Sequence, residues 1–203
     1  SDISSLDPDG AGWCPGSYSC YWGCPRWTIS LASNATSTPE GSTVNLSATV
    51  NQDVGPTPYY IRIMDTTNGG IIKTCSSGTG CWVLVRKTSP TSNDYIANVS
   101  NSTGTNTRVE SSTITVTWTD TTPPDTTIDS GPSGVVYSNS ATFAFSSSES
   151  GSTFSCELDG GGYSSCTSSI TYSSLAQGSH TFRVKATDAA GNTDASPASR
   201  TWT

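Results

Sequence analysis

Apolar and polar positions alternate with a period of two in segment after segment of this chain. In "TVNLSATV" the residues Val44, Leu46, Ala48 and Val50 fall on one face, and in "YYIRIM" Tyr59, Ile61 and Ile63 do the same. The runs "CWVLV", "DYIANV" and "STITVTW" follow, and then, in the second half, "ATFAF" (Ala141, Phe143, Phe145), "FSCEL" (Phe154, Cys156, Leu158) and "TFRVKA" (Phe182, Val184, Ala186). Such runs read as half-buried β-strands, and turn signals lie between them: "TTNGG" after Met64, "SGTG" before Cys81, "DGGG" after Leu158 and "DAAGN" after Thr187. No window repeats apolar residues at i, i+3, i+4, i+7 over three turns, so the pattern predicts an all-β fold of short, regularly spaced strands, the signature of a sandwich.

Two strings of similar grammar, "STITVTWTD" at Trp118 and "PASRTWT" at Trp202, close segments of similar length, and each Trp is expected to be the last inward residue of a final strand. Between them "TDTTPPDTT" carries Pro123 and Pro124, which favour extended backbone and predict a short, semi-rigid junction. The 203 residues therefore divide into 1–27, rich in cysteine and aromatic residues, a sandwich over 28–119 and a second sandwich over 120–203. Hydrophobic residues, glycine left out, make up 33% and charged residues 12%, against roughly 45–50% with glycine counted and 25% in average globular chains. That composition, dominated by small hydroxylated residues, fits a secreted protein. A net charge of −7 with nine scattered cations argues against nucleic-acid or anionic-membrane surfaces, and no apolar run approaches the length of a membrane span. The start at Ser1 reads as a processed mature chain or an excised fragment.

Residues 120–203 resemble a bacterial immunoglobulin-like module through "TPPDTTIDSGPSG", "ATFAFSSSESGSTFSCELDGGGYSSC", "GSHTFRVKATDAAGNTD" and "SPASRTWT". Residues 28–119 resemble more loosely a second type of bacterial extracellular sandwich, through "TPYYIRIMDTTNGGIIKTCSSGTGC" and the closing strand; residues 1–27 resemble no known family. The resemblance implies two tandem immunoglobulin-like β-sandwiches of the kind used as spacers, stalks, adhesins or surface-assembly subunits, without family-wide catalytic residues.

There are seven cysteines. Cys156 and Cys166 flank "ELDGGGYSS", where a hairpin brings two strands alongside each other near the separation a disulfide needs. Cys75 and Cys81 flank "SSGTG", read as a still shorter hairpin and a second local pair. Loops this small give about 2–3 kcal/mol each by chain entropy, and their bridges imply an oxidising compartment. Cys14, Cys20 and Cys24 remain, all within "WCPGSYSCYWGCPRW", which also holds Trp13, Tyr18, Tyr21, Trp22 and Trp27. An odd set leaves four alternatives: two pair and one is a buried thiol, a zinc site forms, one bonds another chain, or one displaces a local partner in the first sandwich. Zinc is disfavoured because a structural site takes four ligands and the sole histidine is distant His180.

Catalytic chemistry finds little to work with. His180 shares a face with Phe182 and Val184 near the start of a strand, which suits a structural role, and Glu110, Glu149 and Glu157 have no spacing that pairs them. No cofactor is expected, with one alternative: calcium at the junction, held by Asp120 and Asp125 with Asp188, Asn192 or Asp194, against the plainer reading that these residues shape turns. "DPDG" at Asp7 is too short for a calcium loop, and N-x-S/T at Asn34, Asn45, Asn98 and Asn101 arises readily by chance in so Ser/Thr-rich a chain. Two functions survive. One is a non-enzymatic extracellular subunit that partners itself or other cell-surface components, docking through residues 1–27 as a compact cystine-bearing knob whose rings bury against a neighbour. The other is a carbohydrate-binding or adhesive module. Strand donation by the arm is disfavoured, since Ser1–Gly12 offers only Ile3, Leu6 and Ala11 as apolar residues.

Overall fold

The computed structural model describes residues 27–54, 59–104 and 107–203, so Trp13, Cys14, Tyr18, Cys20, Tyr21, Trp22 and Cys24, and the expectations for the docking knob and the Ser1–Gly12 arm, lie outside the described residues. The chain parts into two compact units between Asp120 and Thr121. All regular structure in the described residues is β-strand.

The first unit holds β1 (Ile29–Ser33), β2 (Ser37–Pro39), β3 (Thr43–Val50), β4 (Tyr59–Asp65), β5 (Gly70–Cys75), β6 (Gly80–Arg86), β7 (Thr91–Asn101), β8 (Thr107–Glu110) and β9 (Ile114–Thr119). One sheet runs β1-β3-β6; the other runs β2-β9-β7-β4-β5, with β8 hairpinned onto β7. In immunoglobulin-like lettering these are A-B-E facing A′-G-F-C-C′. Alternation explains the layering: the inward set of β3 (Val44, Leu46, Ala48, Val50) is buried, as are Ile61 and Ile63 of β4, Tyr95, Ala97 and Val99 of β7, and Val116 and Trp118 of β9. These meet in one core.

The second unit repeats the order with β10 (Thr126–Ser130), β11 (Ser140–Ser147), β12 (Thr153–Leu158), β13 (Ser164–Cys166), β14 (Ile170–Ser173), β15 (His180–Thr187) and β16 (Ala198–Trp202). Its sheets are β10-β11-β14 and β13-β12-β15-β16, again A-B-E and C′-C-F-G. Phe143 and Phe182 stack with centroids 4.1 Å apart, and Trp202 tilts against Phe143 at 5.1 Å. Gly131 makes this possible: a Cβ there would lie 2.4 Å from Phe143 Cδ1, so the chain leaving β10 passes the ring only as glycine.

Both closing tryptophans are the inward residues their strings suggest, and each is flanked by a segment running parallel to it. Thr38 of β2 opposes Trp118 in a parallel ladder, and Gly134 makes a parallel bridge to Trp202.

Cys156–Cys166 joins β12 to β13, neighbours in one sheet, as the hairpin reading of "ELDGGGYSS" requires. Cys75–Cys81 also forms, with Cα atoms 5.7 Å apart, but the expected hairpin does not. β5 lies in one sheet and β6 in the other, so "SSGTG" crosses between sheets and the bridge ties the two layers at their edge. The cause is the apolar phase of β6: only by pairing with β3 do Cys81, Val83 and Val85 extend the inward face of Val44, Leu46 and Ala48.

Candidate functional site

Trp27 is the one member of the opening aromatic stretch among the described residues. It packs against the first core and tilts over Tyr59 at 5.8 Å. Tyr59 is held in turn by Arg108, whose Nε–H donates to Tyr59 Oη at 2.8 Å while the guanidinium sits 5.2 Å from the ring centre. The Thr28 N–H donates to Asn51 Oδ1, and the Asn51 N–H returns a bond to Thr28 O. The end of the N-terminal stretch is thus fastened to the first sandwich by an aromatic contact and two hydrogen bonds.

On the outer face of β4, Arg62 is only 5% exposed. Its Nη1–H donates to Ser100 Oγ at 2.9 Å and its Nη2–H to Ser102 O at 2.6 Å. Gly104 (φ +75°) closes over it: a Cβ there would stand 2.7 Å from Nη1. At the other end of the strand Asp65 is buried beneath the β4–β5 turn and accepts from the Asn68 N–H, Asn68 Nδ2 and Asn93 Nδ2, with Lys87 Nζ at 3.5 Å. Burial works to raise its pKa, but the bonds from Asn68 and Asn93 and the Lys87 charge together outweigh that and hold the carboxyl below 3.8. Nearby, burial pushes the Tyr95 phenol up to about 12, with the Asp65 charge adding to it. Both clusters hold loops in place and present no reactive group to a cleft. Sequence reading missed them for different reasons: Arg62 sits at a polar beat of "YYIRIMD", where a strand's outer face is ordinarily wet, and Asp65 continues the inward beat of Tyr59, Ile61 and Ile63, where a carboxylate gives no apolar signal.

In the second unit a cleft of about 410 Å³ is lined by Val135, Tyr137, Leu175, His180 and Trp202 among others. His180 Nδ1 lies 2.7 Å from Asp159 Oδ2, and Nε2 lies 2.9 Å from Ala176 O. Both neighbours are acceptors, so the protonated ring can donate from both nitrogens at once, clamped between a turn and a loop. The Ala176 carbonyl, then the bond and charge of Asp159, raise the His180 pKa above 6.5. For Asp159, burial raises the pKa, and the bonds from His180 and the Thr181 N–H together take it below 3.8.

The clamp gives two limbs of opposite sign. A raised histidine pKa means its contribution is complete below the unfolded value near 6.5 and is lost as pH rises through the folded value. A lowered carboxyl pKa means its contribution is complete above the unfolded value and is lost as pH falls through the folded one. The thermal stability of the second unit is expected to fall on both sides, and His180→Gln should flatten the alkaline limb. His180 is the sole histidine, so its proton resonances titrate without overlap; a value at or below 6.5 would refute the clamp.

Of the carboxylates considered for calcium, Asp188 accepts from the Asn192 N–H and Asn192 Nδ2, and Asp194 accepts from the Thr126 N–H, the Ser196 N–H and Ser196 Oγ. Asp188 thus braces its own turn, and Asp194 ties its turn to the start of β10. Asn98 is buried and its Nδ2 points at Met64 Sδ, which leaves no room for a glycan on that sequon.

The outer face of β6 is the other feature that pattern alone did not reveal. Trp82 is 63% and Leu84 58% exposed, standing beside Ser47 and Asn45 of β3. "CWVLV" is apolar in both phases, so periodicity could not say which half would face water.

No family model and no curated protein matches the chain. Among solved structures, fibronectin(III)-like modules of Clostridium thermocellum CbhA align at 18% identity over 86% of this chain and 93% of theirs, with a TM-score of 0.37. The amphioxus IgVJ-C2 molecule aligns at 13% over 80% of this chain and 97% of its own, TM-score 0.45. The Yersinia pseudotuberculosis adhesin InvE aligns at 12% over 86% of this chain and 58% of its own, TM-score 0.37. At these values the likenesses carry no argument about activity or partner, and the immunoglobulin-like fold stands on the strand order itself.

Proposed function

We propose that this chain is a non-enzymatic structural subunit of an extracellular assembly, a filament, appendage or surface layer, that associates through its N-terminal segment and the ends of its sandwiches. Cysteine parity carries the reading. Of seven cysteines, four are consumed in pairs inside the two units, which leaves the odd set Cys14, Cys20 and Cys24. At least one thiol therefore has no disulfide mate within its own chain, and in the oxidising compartment that two structural disulfides imply, a second chain is its natural partner. The polar clusters support the same reading, since the buried and clamped groups described above all serve loops and turns.

A second reading, an adhesive module for neutral sugars, is favoured by one observation: the exposed Trp82 ring beside Ser47 and Asn45, an aromatic face with polar neighbours. Native material examined by electron microscopy and by gel without reductant separates the two. Assembly gives ordered polymers and a ladder that collapses to monomer on reduction, and deletion of residues 1–27 abolishes both. Monomers retained on immobilised polysaccharide would replace this reading with the second.

A further inference from the structure

Among the described residues β6 pairs with β3 alone, so no described strand covers its other edge. The Val50 N–H donates to Thr79 O at 2.8 Å, which fixes the phase of the antiparallel ladder. Cys81, Val83 and Val85 turn their N–H and C=O groups toward β3, and Gly80, Trp82 and Leu84 turn theirs toward the open edge. Those same residues carry the outer-face side chains, so the open main-chain groups and the exposed Trp82 and Leu84 belong to one surface. From Gly80 to Val85 there is no charge and no proline.

Sheet proteins ordinarily guard an open edge with charge, proline, a bulge or shortness. Several other edges here are guarded in those ways: β5 carries Lys73 and a register shift, β2 is three residues ending in Pro39, β13 is three residues, and β10 has a register shift at Ile128/Ser130; β1 is uncharged too but spans five residues with no exposed large apolar side chain. β6 runs in unbroken register with β3 over seven pairs and meets its first charge at Arg86.

We propose that β6 is a self-pairing edge that takes the β6 of a second copy of this chain, antiparallel about a two-fold axis at Val83. In that register Trp82 opposes Leu84 of the second copy and Leu84 opposes its Trp82, two apolar cross-strand pairs, while Arg86 opposes Gly80 and no like charges meet. The chain's net charge of −7 is absent from this strip, so its neutrality suits an identical strip. The β1-β3-β6 sheet becomes six-stranded, and the open main-chain groups of both copies are satisfied. An edge of this length buries less than the roughly 1,200–2,000 Å² of a standard stable interface, so the contact is concentration-dependent and serves a repeating assembly. The inference rests on the assembly reading above and assigns it a surface.

The test uses the full chain in sedimentation velocity up to several hundred micromolar, with amide hydrogen exchange followed in parallel. Wild type should self-associate, and the Trp82 and Leu84 amides, fast in the monomer, should gain protection as concentration rises. Leu84→Pro removes an N–H that faces the open edge and not β3, a position an edge strand tolerates, and Trp82→Lys places a charge on the strip. Each should weaken association by about tenfold or more, with the unfolding transition retained as a check on folding; should Leu84→Pro fail that check, Trp82→Lys decides. Association that persists in Trp82→Lys, with both amides still fast, overturns the edge and leaves the assembly reading in place. Wild type that stays monomeric while native material forms ladders does the same. The absence of any multimer overturns both, and Trp82 protection induced by a neutral polysaccharide gives the surface to a sugar.

Discussion

Trp118→Ala is expected to destabilise the first unit by about 3–5 kcal/mol, the range for deleting a buried aromatic side chain. Trp118 is 1% exposed in the core with Leu46, Ile61, Tyr95 and Val116, and its indole N–H donates to Ser42 O at 3.0 Å. Alanine opens a cavity that the paired strands around it cannot collapse to fill, and it strands the Ser42 carbonyl. Trp118→Phe keeps most of the volume and removes the donor, so its smaller loss, about 1 kcal/mol, isolates the hydrogen bond. Because a domain's whole stability is about 5–15 kcal/mol, the alanine variant should bring the first unit close to unfolding at room temperature. Calorimetry should show one transition moving and the other still.

Phe182→Ala should produce the mirror image. Its ring is fully buried, stacked on Phe143 at 4.1 Å and in reach of Phe145 and Tyr172, each at 6.0 Å. Removing it leaves Phe143 without its stacking partner in a core of few residues, again at about 3–5 kcal/mol. For a unit of this size that corresponds to a fall in Tm of about 12–40 °C. The two cores share no member, so each substitution should act on its own transition. Transitions that shift together in either variant would show that the units do not fold separately.

The strand pattern was legible because one face of almost every strand is apolar and the other hydroxylated. Val44 to Val50, Phe143 and Phe145, and Phe182 to Ala186 are inward as their alternation requires. The closing tryptophans and both disulfide pairs were legible for related reasons, a repeated string and short loops between cysteines. What failed was the partner of β6. Loop length alone makes "SSGTG" a hairpin, and the choice of sheet is decided by which layer lacks an inward face, a tertiary demand that no five-residue window contains. The same limit hid Arg62 and Asp65, whose burial comes from segments far away in sequence: Ser102 and Gly104 over the one, Asn93 of β7 beside the other. The aromatic stretch before Trp27 made the most conspicuous sequence signal, yet the fold supplies exposed rings of its own, Trp82 and Tyr137 among them.

The parallel segment beside each closing strand has a consequence for load. Tension applied to the start of β2 and the end of β9 pulls two parallel neighbours in opposite directions, so the ladder from Ser37↔Thr117 to Pro39↔Thr119 resists in shear, with its bonds strained together and not peeled one at a time. In the second unit the corresponding contact has shrunk to the bridge between Gly134 and Trp202, reinforced by the Val136 N–H on Thr203 O and the Thr203 N–H on Gly134 O. Stretched end to end, the second sandwich has the shorter clasp and is the one that gives way first, as a fuse that spares the first.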